Sequence, residues 1–172
     1  MNWSRHLTVL ILLLIFAVIM ISIDLLIPFT FHGPAPEKVR AEVTRFAETL
    51  EGLPYGFGEN GPEQFDCSGL IVFSYRESVK DTGYSLPFED ATSEELARQY
   101  SRPVSRPQPG DIAFFQNEKG RIIHAALILE SAGSELSLLD AADYSLNVSV
   151  RSVNRNRSDL HSIARLILAR TY

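Results

Sequence analysis

Apolar residues are distributed unevenly along the chain, and their spacing changes three times. From Leu7 to Ile23 they form an almost unbroken run, interrupted only by Thr8 and Ser22, with Leu25, Leu26 and Ile27 beyond Asp24. Residues 37–51 carry Val39, Val43, Phe46, Ala47 and Leu50 at i, i+4, i+7, i+8 and i+11, one face of a helix that Gly52 is suited to stop. A second helix is predicted from Cys67 through Leu70–Val79, apolar on most sides and hence central. Thr92 with Glu95 forms a capping box that opens a short helix ending near Tyr100. After Pro109-Gly110 the period becomes two. Strands are predicted at 111–116, 122–129, 136–142, 147–153 and 162–169, joined by turns containing Gly120 and Gly133. Helices first and an antiparallel meander after them make an α+β domain rather than a βαβ alternation.

At a rise of about 1.5 Å per residue, the first run just covers a hydrocarbon core of about 30 Å. Trp3 and Arg5 precede it, as an interfacial anchor and a flanking positive charge would. A cleaved secretory signal is the rival, but the run exceeds the usual apolar core of about 7–15 residues and no A-x-A-like site follows. A buried helix is the third reading. The expected organisation is a transmembrane anchor over 1–29, a Pro/Gly linker over 30–36 and a single domain over 37–172, with the domain outside the cytoplasm.

Composition narrows the function. The 172 residues include 16 basic and 21 acidic side chains, a formal net charge of −5, which argues against nucleic acid as a partner. A single cysteine excludes an intramolecular disulfide and a multi-cysteine zinc site, and nothing in the pattern calls for a metal or another cofactor. Five arginines, at 151, 155, 157, 165 and 170, crowd the C-terminal end; they suit a solvated edge or contact with an anionic polymer.

Three residues could carry chemistry together. Cys67 falls at a loop-to-helix junction, where the helix N-terminus stabilises a thiolate; a small buried hydrophobe is the alternative. His124 lies in an apolar strand, where a histidine is by default a packed residue. A three-residue turn over Ser131-Ala132-Gly133 would set Asp140 directly opposite it, with Cβ atoms about 4.5–5.5 Å apart. Asp140 is otherwise a costly charge within Leu138-Leu139-Asp140-Ala141-Ala142. Cys, His and Asp would then serve as nucleophile, base and orienting group for acyl transfer. His6, His32 and His161 have no such pattern around them.

The stretch Pro54-Tyr55-Gly56-Phe57-Gly58, Gly61-Pro62 and Phe65-Asp66-Cys67-Ser68-Gly69-Leu70, followed by Pro109-Gly110-Asp111-Ile112-Ala113-Phe114-Phe115, resembles the NlpC/P60 cysteine peptidases over about residues 37–145. The resemblance implies a papain-like α+β fold, with helices packed on an antiparallel sheet. It implies hydrolysis of peptidoglycan stem peptides, often between D-γ-glutamyl and a diamino acid. Carried over by position, Cys67 is the nucleophile and His124 the base. Tyr55 matches a tyrosine near the oxyanion site, and Asp66 and Ser68 match residues around the free amine of the stem peptide. Two departures stand out: Asp140 occupies a place usually held by histidine, and His124-Ala125-Ala126 replaces the usual H-V-G. A non-catalytic wall-binding domain and an amidase or acyltransferase on the same fold are the alternatives.

Overall fold

The computed structural model describes His6, residues 9–16 and residues 30–171, with the backbone alone at Thr171. Two compact units are present, one of Met1–Phe31 with Thr171–Tyr172 and one of His32–Arg170. In the first, residues 9–16 are helical and their apolar side chains are exposed. No helix among the described residues is long and apolar enough to cross a membrane. Apart from His6 and 9–16, the expected span lies outside the described residues.

The second unit is α+β, as its hydrophobic pattern predicts. Helix α1 (Glu37–Glu48) buries Val39, Val43 and Ala47, and Leu50 continues that face beyond the Thr49 C-cap. The helix stops at the Thr49 cap, and Gly52 follows three residues on at φ 89°, where a left-handed turn sends its N–H to Val148 O at 2.8 Å. Helix α2 (Cys67–Ser78) buries Leu70, Ile71, Val72 and Tyr75 in the main core. Helix α3 (Ser93–Arg98) has a complete capping box: Thr92 Oγ1 accepts from the Glu95 N–H, and the Glu95 carboxylate accepts from the Thr92 N–H.

Strands β1 (Thr30–Pro34), β2 (Tyr84–Ser85), β3 (Ser101–Pro103), β4 (Ile112–Gln116), β5 (Ile122–Ala132), β6 (Glu135–Ala141), β7 (Val148–Asn154) and β8 (Leu160–Thr171) form one sheet. Its order is β1-β8-β4-β5-β6-β7, with β2 and β3 also paired to β8. The meander therefore runs only from β4 to β7, and β8 returns to the far side of β4. Residues 30–34, expected to be linker, are a strand, and the next N–H, of Ala35, donates to Leu166 O at 2.8 Å. One face of the sheet buries the main core, Ile112, Phe114, Ala125, Leu127 and Leu139 among it. The other carries a smaller cluster of Ala113, Phe115, Ala126, Ile128, Leu136, Leu138, Val153 and Ile163.

The β5–β6 hairpin differs from expectation in two ways. Its turn is Gly133-Ser134, closed by the pair Ala132↔Glu135, with Gly133 at φ 60° as the first position of a type II′ turn requires. A bulge then shifts the register between Ile128 and Glu130, so that Leu127 pairs with Leu139. One step further, Asp140 stands beside Ala126 rather than His124, two residues from the expected pairing. Without the bulge Asp140 would pair with Leu127 and face the main core. The extra residue returns it to the side of the sheet that His124 occupies.

A second network fixes the start of β4. Asp111 is fully buried and accepts from Arg165 Nε at 2.7 Å on Oδ1. Its Oδ2 accepts from Arg165 Nη2 at 3.0 Å and from the Gln108 N–H at 2.9 Å. Arg40 Nε lies 3.7 Å from Oδ1 and donates to Pro109 O at 3.2 Å; its Nη1 donates to Ala35 O at 2.8 Å. Gly110, at φ 84°, leaves no room for a side chain: a Cβ there would meet the Arg40 Cβ at 2.5 Å. The buried Tyr75 hydroxyl donates to Gly110 O at 2.6 Å, joining α2 to the same corner.

Candidate active site

Local chemistry explains how Cys67 is presented. Asp66 is the N-cap of α2, and its Oδ1 accepts from the Gly69 N–H at 2.7 Å and from the Ser68 hydroxyl at 2.9 Å. Its Oδ2 accepts from the Gly58 N–H at 3.2 Å, tying the glycine loop to the helix start. That loop lies so close that a Cβ on Gly69 would meet Glu59 O at 2.3 Å. The D-C-S-G run thus places a cysteine at the first turn of a capped helix, against a loop that admits only glycine two residues on.

A cleft of about 570 Å³ opens at this end of the domain, lined by Tyr55, Asp66, Cys67, Phe115, His124, Tyr144 and Arg151 among others. His124 donates through Nε2 to Asp140 Oδ2 at 2.8 Å. The Cys67 thiol and His124 act on each other electrostatically across the cleft. The Ser93 hydroxyl lies 3.3 Å from Sγ. Asp140 is fully buried, and its Oδ2 also accepts from Arg151 Nε at 2.7 Å. The Tyr144 hydroxyl stands 3.5 Å from the same oxygen. No partner reaches Asp140 Oδ1 among the described residues.

These contacts shift all three groups in a consistent sense. Burial pushes the Cys67 thiol up, but the hydrogen bond and charge of His124, the Ser93 hydroxyl and the Ala125 N–H outweigh it, leaving the thiol below its ordinary 9.0. Burial would lower His124, yet Asp140 and Cys67 together raise it from 6.5 to about 9. For Asp140, burial raises the carboxyl and the hydrogen bonds from His124 and Arg151 pull it below its ordinary value. Each group thus stabilises the charged form of its neighbour, which favours a thiolate–imidazolium pair over the neutral pair.

The sequence-predicted residues are disposed as follows. Cys67 and His124 line the same cleft and His124 is hydrogen-bonded to Asp140, which reaches it from a diagonal position on the same face rather than from directly opposite. Tyr55 lines the cleft, where burial and then the negative charges of Cys67, Asp143 and Asp66 raise its hydroxyl. Asp66 lines it too while capping α2. Ser68 is nearly buried with its hydroxyl turned onto Asp66, and it is not part of the cleft wall. Among the C-terminal arginines, Arg165 belongs to the Asp111 network, Arg157 pairs with Asp159 and Arg151 holds Asp140. Ser93, Tyr144 and the role of Arg151 escape sequence reasoning. Ser93 is concealed in a capping motif, and Arg151 gains its partner only through the β5–β6–β7 register.

Fold and site together define a class: an α+β domain that sets a cysteine at a helix N-terminus against a histidine and carboxylate on an antiparallel sheet. The chain belongs to the NlpC/P60 family, whose model matches residues 52–165. It is 39% identical over 109 residues to "Probable endopeptidase Cgl2188" of Corynebacterium glutamicum, covering 57% of this chain and 48% of that protein. It is 34% identical over 98 residues to the gamma-DL-glutamyl hydrolase of Bacillus subtilis, covering 54% and 22% respectively. The chain thus spans less than half the length of these curated relatives. Among solved structures, NlpC1 of Trichomonas vaginalis superposes with a TM-score of 0.59 at 18% identity, covering 77% of this chain and 46% of that one. The NlpC/p60 domain of the peptidoglycan hydrolase SagA superposes with a TM-score of 0.50 at 25% identity, covering 74% and 97%.

Proposed function

We propose that this protein is a cysteine endopeptidase that hydrolyses amide bonds in peptidoglycan stem peptides, of the D-γ-glutamyl–diamino acid type. The observation that carries this reading is that Cys67 and His124 share one cleft with Asp140 hydrogen-bonded to His124 at 2.8 Å, which lowers the thiol and raises the imidazole. His124 takes the thiol proton, and the Cys67 thiolate attacks the scissile carbonyl carbon. As the C–N bond breaks, the imidazolium protonates the departing amine, leaving a thioester on Cys67. Water, deprotonated by His124, then hydrolyses the thioester and restores the thiol. Asp140 orients the imidazole and stabilises its charged form. Tyr55 stands near the developing oxyanion, and Asp66 faces the free amine of the stem peptide. The names of the relatives support the reaction class.

The same reading sets the catalytic domain outside the cytoplasm, tethered by a single N-terminal span. The apolar run Leu7–Ile23 supports it, as do the exposed apolar side chains of helical residues 9–16, which suit lipid better than water. Retention in the membrane fraction after alkaline carbonate extraction is expected; release into the soluble fraction would overturn the anchor.

The activity is tested with the full chain in detergent on purified sacculi. Soluble muropeptides are expected from the wild type and none from Cys67→Ala. Release by Cys67→Ala equal to that of the wild type would overturn the mechanism. Mass mapping of the fragments reads the bond cut.

A further inference from the structure

Four strands contribute one side chain each to a row on the same face of the sheet. Phe115 of β4 pairs directly with His124 of β5, their ring centroids 5.8 Å apart. Asp140 of β6 comes next, then Arg151 of β7, which pairs with Leu138 and so stands two residues from the partner of Asp140. Arg151 is held on three sides. Its Nε donates to Asp140 Oδ2 at 2.7 Å, and Nη2 lies at the same distance from that oxygen. Its guanidinium carbon sits 5.1 Å from the Phe115 ring centroid and 5.9 Å from that of Tyr144.

The choice of oxygen is the informative detail. An arginine that only neutralises a buried carboxylate forks across both oxygens, as Arg165 does on Asp111. Arg151 instead bonds the one oxygen that His124 uses, and Oδ1 has no partner among the described residues. A carboxylate held by His124 alone could turn about its Cβ–Cγ bond and exchange oxygens. With two rigidly held donors on Oδ2, that rotation is blocked and the imidazole plane is set. The permanent guanidinium charge also competes for Oδ2, so the carboxylate attracts the imidazolium less than an unshared one would.

We propose that Arg151 is a positioning residue for the Cys67–His124 pair, acting through the single Asp140 oxygen that it shares with His124. This rests on the endopeptidase reading above. The charged and titratable groups around His124 are Cys67 from α2, Asp140 from β6, Arg151 from β7, Tyr144 from the β6–β7 loop, and Arg157 and Asp159 between β7 and β8. Asp66, Asp143 and Tyr55 complete the cleft. Among the described residues, only Arg151 and Tyr144 share the Asp140 oxygen with His124.

The test titrates the histidine resonances of the full chain by NMR and measures kcat and KM on a stem-peptide substrate, for the wild type, Arg151→Met and Arg151→Lys. Met keeps an unbranched side chain and removes the guanidinium with its charge and its place over the Phe115 ring. Its His124 titration should move up by about half a pH unit or more. Its kcat should fall about tenfold, with KM changed less than about twofold. Lys restores the charge without the rigid fork, so it should return the titration toward that of the wild type and leave kcat low. Wild-type titration and kcat in a folded Arg151→Met variant would overturn the proposal. A raised KM at unchanged kcat would overturn it too, assigning Arg151 to substrate contact instead. Should Arg151→Met not fold, wild-type kcat in Arg151→Lys is sufficient to overturn it. A wild-type His124 titrating near its ordinary 6.5 overturns the ion pair itself, an outcome distinct from failure of the Arg151 variants.

Discussion

Asp111, just before β4, and Asp140, in β6, are both fully buried and both bind an arginine, yet their bonds are arranged differently. Asp111 spreads its donors: Arg165 grips both oxygens and the Gln108 N–H takes one more place. Of its partners Arg40 is almost wholly buried, while Arg165 keeps about a fifth of its side chain exposed. Asp140 gathers His124, Arg151 and the more distant Tyr144 hydroxyl on one oxygen, and the other has no partner among the described residues. His124 and Arg151 keep about a fifth of their side chains open to the cleft. A carboxylate satisfied on every side resists change and suits a joint between α1, β4 and β8. One loaded on a single oxygen directs its charge at one neighbour, which suits a group that must hold a protonated imidazole.

Substitution should separate the two. The largest effect is expected at Asp111. Asp111→Ala strands Arg165 and the buried Arg40 without their counter-charge, a cost of about 3–5 kcal/mol that urea denaturation will read. Asp140→Ala should cost less, about 1–2 kcal/mol, because His124 and Arg151 can turn to water. Its activity should fall by about a hundredfold or more on muropeptide release. Equal stability losses at the two sites would erase the distinction.

The pH dependence sharpens the contrast on the Asp140 side. Activity requires thiolate and imidazolium together. Raising the pH through about 9 removes the His124 proton and should reduce the rate; lowering it through the depressed Cys67 value protonates the thiolate and should do the same. The rate profile is therefore a bell with its alkaline limb near about 9. In Asp140→Ala that limb should fall toward 6.5, the ordinary histidine value, as the first support for the imidazolium is lost. An unmoved limb would detach Asp140 from His124.

The smallest effect is expected outside both clusters. Ser93→Ala deletes the hydroxyl 3.3 Å from Sγ and should raise the acid limb by about one pH unit or less, read as the pH dependence of Cys67 alkylation. A shift as large as that of Asp140→Ala would make Ser93 a principal support of the thiolate.

Much of this site is written in local sequence. Asp66 announces the cap, the Gly-rich segment announces the close loop, and Cys67 and His124 stand out as polar atoms at a helix start and in an apolar strand. The helices are similarly legible, since Val39, Val43 and Ala47 recur at helical spacing and Thr92 with Glu95 caps α3. What sequence conceals is set by pairing between distant segments. Strand β1 holds Gly33 and Pro34 and has no alternation, while β2 and β3 are too short to show a period. The turn falls at Gly133-Ser134 rather than on Ser131-Ala132-Gly133, and the bulge near Leu129, within an apolar run where no residue marks it, takes back one residue of that shift; together they set Asp140 beside Ala126 instead of His124. Arg151 is visible as a charge, but its carboxylate lies on another strand.

That bulge also constrains how the hairpin can change. Adding or removing one residue between His124 and Asp140 reverses the parity of the pairing and turns the carboxylate to the opposite face, whereas a change of two slides the strand and preserves the side. Length variation in this hairpin is therefore quantised: viable insertions come in pairs, or singly with a compensating bulge. A loop graft that ignores this parity will give a folded sheet whose histidine has no carboxylate behind it.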